Sequence, residues 1–148
     1  RVEMIVPHLL QQHGAGHHLA GMLHEIFEQA EFPRLQIDFL PVAFPGFSWH
    51  NMKPEAPLDA IPRLQGRFFW SQITAAKAAG ASMLYTAMFD EVDEATAIFK
   101  CTQDVPVGES RFLTEPGLES DHYLWLTGEI RRFMQGDIPA DFPVRKAN

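Results

Sequence analysis

The sequence predicts an α/β fold with parallel strands, built from about three βα units. Three observations predict it. Short apolar runs alternate with stretches of helical periodicity along the whole chain. The last strand-like run is apolar on both faces, as a strand buried on both sides of a parallel sheet is. Gly and Pro punctuate the junctions between these segments.

Val2 to Leu9 is a short apolar run with β-branched residues and reads as a buried strand. Gly14 and Gly16 follow it. Leu19, Met22, Leu23, Ile26, Phe27 and Ala30 then recur at helical spacing, so an amphipathic helix is predicted over 17–30, stopped by Pro33. Ile37 to Phe44 is the second strand, with Pro41 suited to an edge, a bulge or the strand's end. Pro45, Gly46, Pro54 and Pro57 shape a long loop. Pro62 suits a first helical turn, and Leu64, Phe68, Phe69, Ile73 and Ala76 give the next helix its stripe, ending at Gly80. Ser82 to Phe89 is the third strand. A long loop region, 90–119, precedes a last helix with Ser120 as N-cap. Tyr123, Leu126, Ile130, Phe133 and Met134 line one face of that helix and Gly136 closes it. The tail from Asp137 to Asn148 is expected to be peripheral to a single domain spanning 1–148.

Three βα units do not close a barrel, which needs about eight units and roughly 250 residues. The pattern therefore fits either a small open α/β sheet or one part of a barrel. A chain that begins with Arg1 rather than Met leans toward the part of a barrel.

Composition narrows the function. Hydrophobic residues are 46% and charged residues 21%, an ordinary globular balance that disfavours disorder. A formal net charge of −7, without any Lys/Arg run, lacks the electrostatic footprint of a nucleic-acid binder and argues against docking on anionic membranes. No uncharged apolar stretch approaches the roughly 18 to 20 residues of a membrane span. Cys101 is the single cysteine, so the chain contains neither an internal disulfide nor a thiolate metal site. No cofactor and no metal are expected.

In parallel α/β folds, active sites gather at the C-terminal ends of strands. Two such ends are chemically loaded here. The second strand runs into Pro45-Gly46-Phe47-Ser48-Trp49-His50-Asn51. The third runs into Asp90-Glu91-Val92-Asp93-Glu94, four carboxylates in five residues. Such crowding should raise the pKa of at least one member, which is what a general acid at neutral pH needs. The same cluster also reads as solvated surface, as a cap for a following element, or as a hard-cation site, although EF-hand spacing is missing. Trp49 is the better ligand candidate among the aromatics, since Phe69 falls on a helix stripe while Trp49 sits in a Pro/Gly loop beside Ser48 and His50. His8, His13, His17, His18 and His24 carry no zinc-protease or deaminase signature and read as surface residues, His8 at a strand end excepted. Arg63 and Arg67 are placed to pair with the acidic segment, or else are ordinary surface arginines.

The stretches PVAFPGFSWHN (41–51), IPRLQGRFFW (61–70) and MLYTAMFDEVDEATAIFK (83–100) resemble the bacterial glycoside hydrolase family 71/99-like proteins, several of which carry xylosidase/arabinosidase labels. A more distant likeness is to family 99 endo-α-mannosidases, where a strand ends in Phe-Asn-Glu-Trp-His-Glu-Gly-Thr-Gln-Ile. Glu91, Glu94, Thr96 and Ile98 fall in register with that run, whereas Asp90, Val92, Asp93 and Ala95 depart from it. The likeness is strongest from Asp38 to Gly136. It implies the C-terminal part of a (β/α)8 TIM barrel and a glycosidase that cleaves a poly- or oligosaccharide. It further implies Glu91 as the base acting on the sugar 2-hydroxyl and Glu94 as the general acid/base at the glycosidic oxygen. That route retains configuration through an anhydro-sugar rather than through a glycosyl-enzyme. Phe47, Trp49, His50, Asp90, Asp93 and Arg63 are the expected substrate-binding residues. The expected partner is a carbohydrate, with neither nucleic acid nor membrane. Open barrel edges would favour self-association, and an isolated half barrel would be weakly active or inactive. A non-catalytic carbohydrate-binding module on the same scaffold is the alternative. Secretion or a periplasmic location suits an enzyme of polysaccharides, but no residue fixes it.

Overall fold

The structure, a computed structural model, describes residues 39–106 and 108–145. The expected strand at 2–9, the helix at 17–30 and the five N-terminal histidines lie outside the described residues. The elements in chain order are β1 (Val42–Ala43), a 3₁₀ turn (Leu64–Gly66), α1 (Arg67–Ala78), β2 (Tyr85–Thr86) and α2 (His122–Gln135).

β1 and β2 pair in parallel, Val42 opposite Tyr85 and Ala43 opposite Thr86. The Tyr85 N–H donates to Pro41 O at 2.9 Å and the Ala87 N–H to Ala43 O at 3.0 Å. The parallel relation thus agrees with the sequence reading, but the strands are far shorter than the runs 37–44 and 82–89. A ladder extends only where both edges find partners, and Pro41 has no N–H to offer. Neither is the third run buried on both faces among the described residues. Ala43 is 1% exposed, whereas Val42 and Tyr85 on the opposite face are 59% and 53% exposed.

α1 forms because Phe69, Trp70 and Ile73 present one apolar face, with Ala79 and Gly80 closing its last turn. It begins later than Pro62 suggests. Leu64 and Gln65 have φ of +52° and +55°, left-handed backbone that no α-helix accepts. Leu64, expected on the stripe, therefore points outward at 58% exposure. Two bonds hold this unfavourable turn: the Gln65 N–H donates to Glu115 Oε1 at 3.0 Å, and the His122 ring meets Gln65 O at 3.1 Å. Gly66 follows at φ +89°, and a Cβ there would lie 2.5 Å from Leu126 Cδ2, so α2 approaches against bare backbone.

α2 buries Tyr123, Leu126, Ile130 and Phe133, as its spacing predicts, with Met134 partly buried against them. Gly136 ends it at φ +87°, its N–H on Phe133 O at 3.0 Å. Its N-cap is Asp121 rather than Ser120, and neither side chain caps it, because the Asp121 carboxylate is bidentate with Arg145 at 2.6 and 3.1 Å. The core joins α1 and α2 to Ala43 of β1 and to Ile98, just beyond the acidic segment. The tail is not peripheral. Trp70 Nε1 donates to Ala140 O at 2.9 Å, Phe142 meets the Trp70 ring edge-on at 6.1 Å, and Arg67 lies over Phe142 at 4.7 Å. The segment through Arg145 thus closes the helix pair.

Candidate functional site

Parallel pairing sets the C-terminal ends of β1 and β2 side by side, so the two chemically loaded loops start next to each other. At the end of β1, Gln72 of α1 grips the Phe44 backbone from both sides: Nε2 donates to Phe44 O at 2.8 Å and Oε1 accepts from Phe44 N at 3.3 Å. The loop then closes on itself through a bridge between Phe47 and Ile61, with bonds of 3.0 and 2.9 Å. Gly46 makes that closure fit, since a Cβ there would meet Arg63 Cγ at 2.5 Å and Ile61 O at 2.7 Å. Within the loop, the rings of Phe47 and Trp49 pack edge-to-face at 4.8 Å, and Lys53 Nζ lies 5.2 Å from the centre of the half-exposed Trp49 ring. His50 Nδ1 is 2.8 Å from Ala56 O. A carbonyl only accepts, so Nδ1 carries the proton and Nε2 is the acceptor of the neutral ring.

The acidic segment is a tight reversal. Glu91 O accepts from the N–H groups of Thr96 and Ala97 at 3.2 and 3.1 Å, and Ala95 N–H reaches Val92 O at 3.2 Å with Ala95 at φ +56°. Below the reversal, Met88 and Phe89 exchange bonds with Thr96, Ile98 and Phe99. The core residue Ile98 anchors its returning limb. Asp90 and Asp93 are exposed, while Glu91 and Glu94 are partly covered.

The two loops are joined by backbone. Ser48 N–H donates to Glu94 O at 2.8 Å, and Asn51 Nδ2 reaches Asp93 O at 3.4 Å. The loop that carries Phe47, Trp49 and His50 is therefore fastened to the Glu91–Glu94 turn. Ser48 is buried, and its Oγ accepts from His50 N–H at 3.3 Å. Sequence reasoning missed the joining role of Ser48, because a bond from a backbone N–H leaves no mark on residue type, and that of the Asn51 side chain, because its acceptor is a backbone carbonyl 42 positions away.

The Glu91 carboxyl is held above its ordinary value, first by loss of solvation, then by the charges of Asp93 and Glu94, a hydrogen bond with Asp93, and the charge of Asp90. Desolvation thus leads the shift of Glu91, and the crowding inferred from the sequence comes second. Among the described residues no Lys or Arg forms an ion pair with the four carboxylates. Nor does any group of three or more His, Cys, Asp or Glu among the described residues adopt an arrangement that could hold a metal ion.

Arg63 does not pair with the acidic segment, which corrects one expectation. Its Nη2 donates to Ala97 O at 2.7 Å, on the returning limb, and its guanidinium lies over the Tyr123 ring at 3.6 Å. Its Nε is 3.7 Å from Glu115 Oε2, which also accepts from the Tyr123 hydroxyl at 2.5 Å. Arg63 and Glu115 are largely buried, at 10% and 16% side-chain exposure. Burial and the Glu115 carboxylate push the Tyr123 phenol up, against the pull of Arg63, so it stays protonated. Arg63, Glu115 and Tyr123 form a buried brace from α2 to the carboxylate turn. Arg67 takes no part in it.

No protein-family model matches this sequence, and no curated protein does. Solved structures do. One is the GH99 endo-alpha-mannosidase from Bacteroides thetaiotaomicron, at 23% identity and a TM-score of 0.59, over 67% of this chain and 29% of that one. Another is the same enzyme in complex with BIS-TRIS-propane, at 21% identity and a TM-score of 0.60, over 80% and 36%. The chain spans about a third of the structures it matches. It shares the fold of that portion of a GH99 glycoside hydrolase, which supports a barrel-type architecture. Its described share is the two-stranded parallel piece and two helices.

Proposed function

We propose that this chain carries the carboxylate pair of a glycoside hydrolase acting on a poly- or oligosaccharide. The observation that carries the reading is the Ser48–Glu94 backbone bond, which fastens an aromatic and histidine loop to a turn bearing two glutamates three residues apart. The likeness of the fold to a GH99 endo-alpha-mannosidase supports reading this pairing as a sugar-facing surface beside an acid and a base.

The assigned roles rest on the family resemblance together with this geometry. Glu91 takes the proton of the sugar 2-hydroxyl as that oxygen attacks the anomeric carbon. Glu94 gives a proton to the departing glycosidic oxygen, and water then opens the anhydro-sugar by the reverse transfers. The raised Glu91 pKa suits a base, because proton affinity grows with pKa. Trp49 offers an aromatic face for a sugar ring, and His50 Nε2 offers an acceptor for a hydroxyl. Asp90 and Asp93 set the field around the glutamates.

The test uses the whole protein and a panel of mannan and xylan oligosaccharides. Glu94→Gln should lower sugar release by about 10²- to 10⁴-fold, the usual share of a general acid/base, with the unfolding transition unchanged. A fully active Glu94→Gln protein sinks the proposal. Binding of oligosaccharide by the unaltered protein, with no release of reducing sugar, would favour the carbohydrate-binding reading, for which the exposed Trp49 is the supporting observation.

A further inference from the structure

A cavity of about 300 Å³ lies against the carboxylate turn, with Val92 and Ala95 of the turn on one side and Phe112 and Tyr123 among the rest. Neither Glu91 nor Glu94 lines it. Its volume is at the lower end of small-molecule sites, enough for one sugar unit. About half of its lining residues are polar. Arg63 is the one left incomplete. Its side chain is 10% exposed, and its buried Nε finds no hydrogen-bond partner among the described residues. Nη2 is taken by Ala97 O at 2.7 Å. Glu115 Oε2 lies 3.7 Å from Nε, too far for a hydrogen bond, and accepts from the Tyr123 hydroxyl instead. A buried guanidinium N–H without an acceptor is costly, and the acceptor that best fits the planar fork is a carboxylate.

The field on the wall agrees. Burial raises the Cys101 thiol and the Tyr123 phenol, both on the lining, and at each the Arg63 charge pulls the other way. At Tyr123 that pull outweighs the opposing charge of Glu115. Lys100 adds a second cation to the lining, against one carboxylate, the exposed Glu119. The remaining polar groups suit hydroxyls. Gln103 Oε1 accepts from Glu115 N–H at 2.8 Å, and its amide nitrogen is a further donor. Ser120 brings a hydroxyl that can both donate and accept. Thr102 differs, since its hydroxyl closes on Asp104, accepting from N–H at 3.0 Å and donating to O at 3.2 Å. Phe112 and the Tyr123 ring offer flat apolar surface for the C–H face of a pyranose.

We propose that this cavity receives an acidic sugar unit, a hexuronate, whose carboxylate meets Arg63 and whose hydroxyls meet Gln103 and Ser120. The inference rests on the sugar-cleaving reading for its substrate class. The chain cleaved at the carboxylate turn would be a polysaccharide bearing uronate units, one of them seated beside the turn.

The test titrates the nitrogen-15-labelled whole protein with sodium D-glucuronate at constant ionic strength, followed in two-dimensional amide spectra. The amides of Cys101, Gln103, Ser120 and Tyr123 should shift and saturate, with half-effect in the low millimolar range, as suits about 13 heavy atoms. D-Glucose offers only the hydroxyls and acetate only the carboxylate, so each should bind about tenfold more weakly or less. Arg63→Lys keeps the charge but loses the fork, and should weaken glucuronate about tenfold. Absence of saturable shifts, shifts confined to the Trp49 loop, glucose or acetate binding as well as glucuronate, or full affinity in a folded Arg63→Lys protein would each overturn the proposal. All but the last need no variant, so a misfolded Arg63→Lys chain leaves the test intact. Binding is read without hydrolysis, which keeps the two readings apart. A protein that binds glucuronate here but releases no sugar loses the cleavage reading and keeps the cavity assignment. One that cleaves oligosaccharides while these amides stay unmoved loses only the cavity assignment.

Discussion

The helical side of this protein and its strand-end loops are held by different forces. α1 and α2 meet through Phe69, Trp70, Ile73, Leu126, Ile130 and Phe133, large side chains almost entirely removed from water. The loops at 44–61 and 88–99 bury mostly small side chains, Pro45, Ser48, Ala95, Thr96 and Ala97 together with Ile98, and keep Trp49, Met88, Phe89 and Val92 exposed. Their shape comes from backbone hydrogen bonds: Phe47 with Ile61, Ser48 with Glu94, and Glu91 with Thr96 and Ala97. Burial is non-directional and tolerates small shifts, whereas hydrogen bonds fix position. A rigid scaffold with a polar site set by directional bonds is the division of labour expected of a catalytic surface.

If that division holds, stability should respond most to the helical side. Leu126 is fully buried and touches the bare backbone at Gly66. Leu126→Ala should lower unfolding free energy by about 3–5 kcal/mol, read by urea denaturation. A loss below about 1 kcal/mol would mean that the helix pair is not where the stability lies.

The brace links the two regions, so the next effect is expected there. Arg63→Met leaves Glu115 buried without its cation and frees Ala97 O. A loss of about 3 kcal/mol is expected, the usual result of removing one member of a buried pair. Faster hydrogen exchange at the Thr96 and Ala97 amides should accompany it, because those amides close the carboxylate turn. Equal destabilisation with unchanged exchange in the turn would show the brace to be simple helix packing.

Much of the helical side was legible in the sequence. The i, i+3, i+7, i+10 spacing of Tyr123, Leu126, Ile130 and Phe133 marks one buried face, and Gly80 and Gly136 stop helices where their positive φ is needed. The parallel pairing followed from the alternation of strand and helix. The site was legible only in part. Trp49 and the acidic run stand out by residue type, but Arg63 reads as a partner of the acidic segment or as an ordinary surface arginine. Its actual partner, Glu115, lies 52 positions away in sequence, and only the folded chain brings the two together. The tail misled because its contacts are a carbonyl at Ala140 and a ring at Phe142, neither of which forms a periodic pattern.

The contact between the loops should be weaker than the brace. Asn51 reaches Asp93 O at 3.4 Å near solvent, where water can replace it. Asn51→Ala should cost less than about 0.5 kcal/mol by thermal or urea unfolding. A loss several times larger would mean that side chains, rather than the Ser48–Glu94 backbone bond, join the loops.

The smallest effect concerns Glu91, and its sign is informative. In the folded protein this carboxyl keeps its proton to higher pH than in the unfolded chain, because desolvation and the neighbouring carboxylates Asp93 and Glu94 oppose its charge. The folded state therefore binds more protons between the ordinary and the raised pKa. Stability falls as pH rises through that window and stays reduced above it. Glu91→Gln removes the opposed charge while keeping a group that can donate to Asp93. The variant should melt slightly above the unaltered protein at neutral pH, by no more than a few degrees, and the difference should vanish below the ordinary carboxylate range near pH ~4. A variant that melts lower at neutral pH would show that the charged Glu91 is satisfied by a partner. It would then be a structural anchor, and the strain expected of a group set aside for chemistry would be missing from this turn.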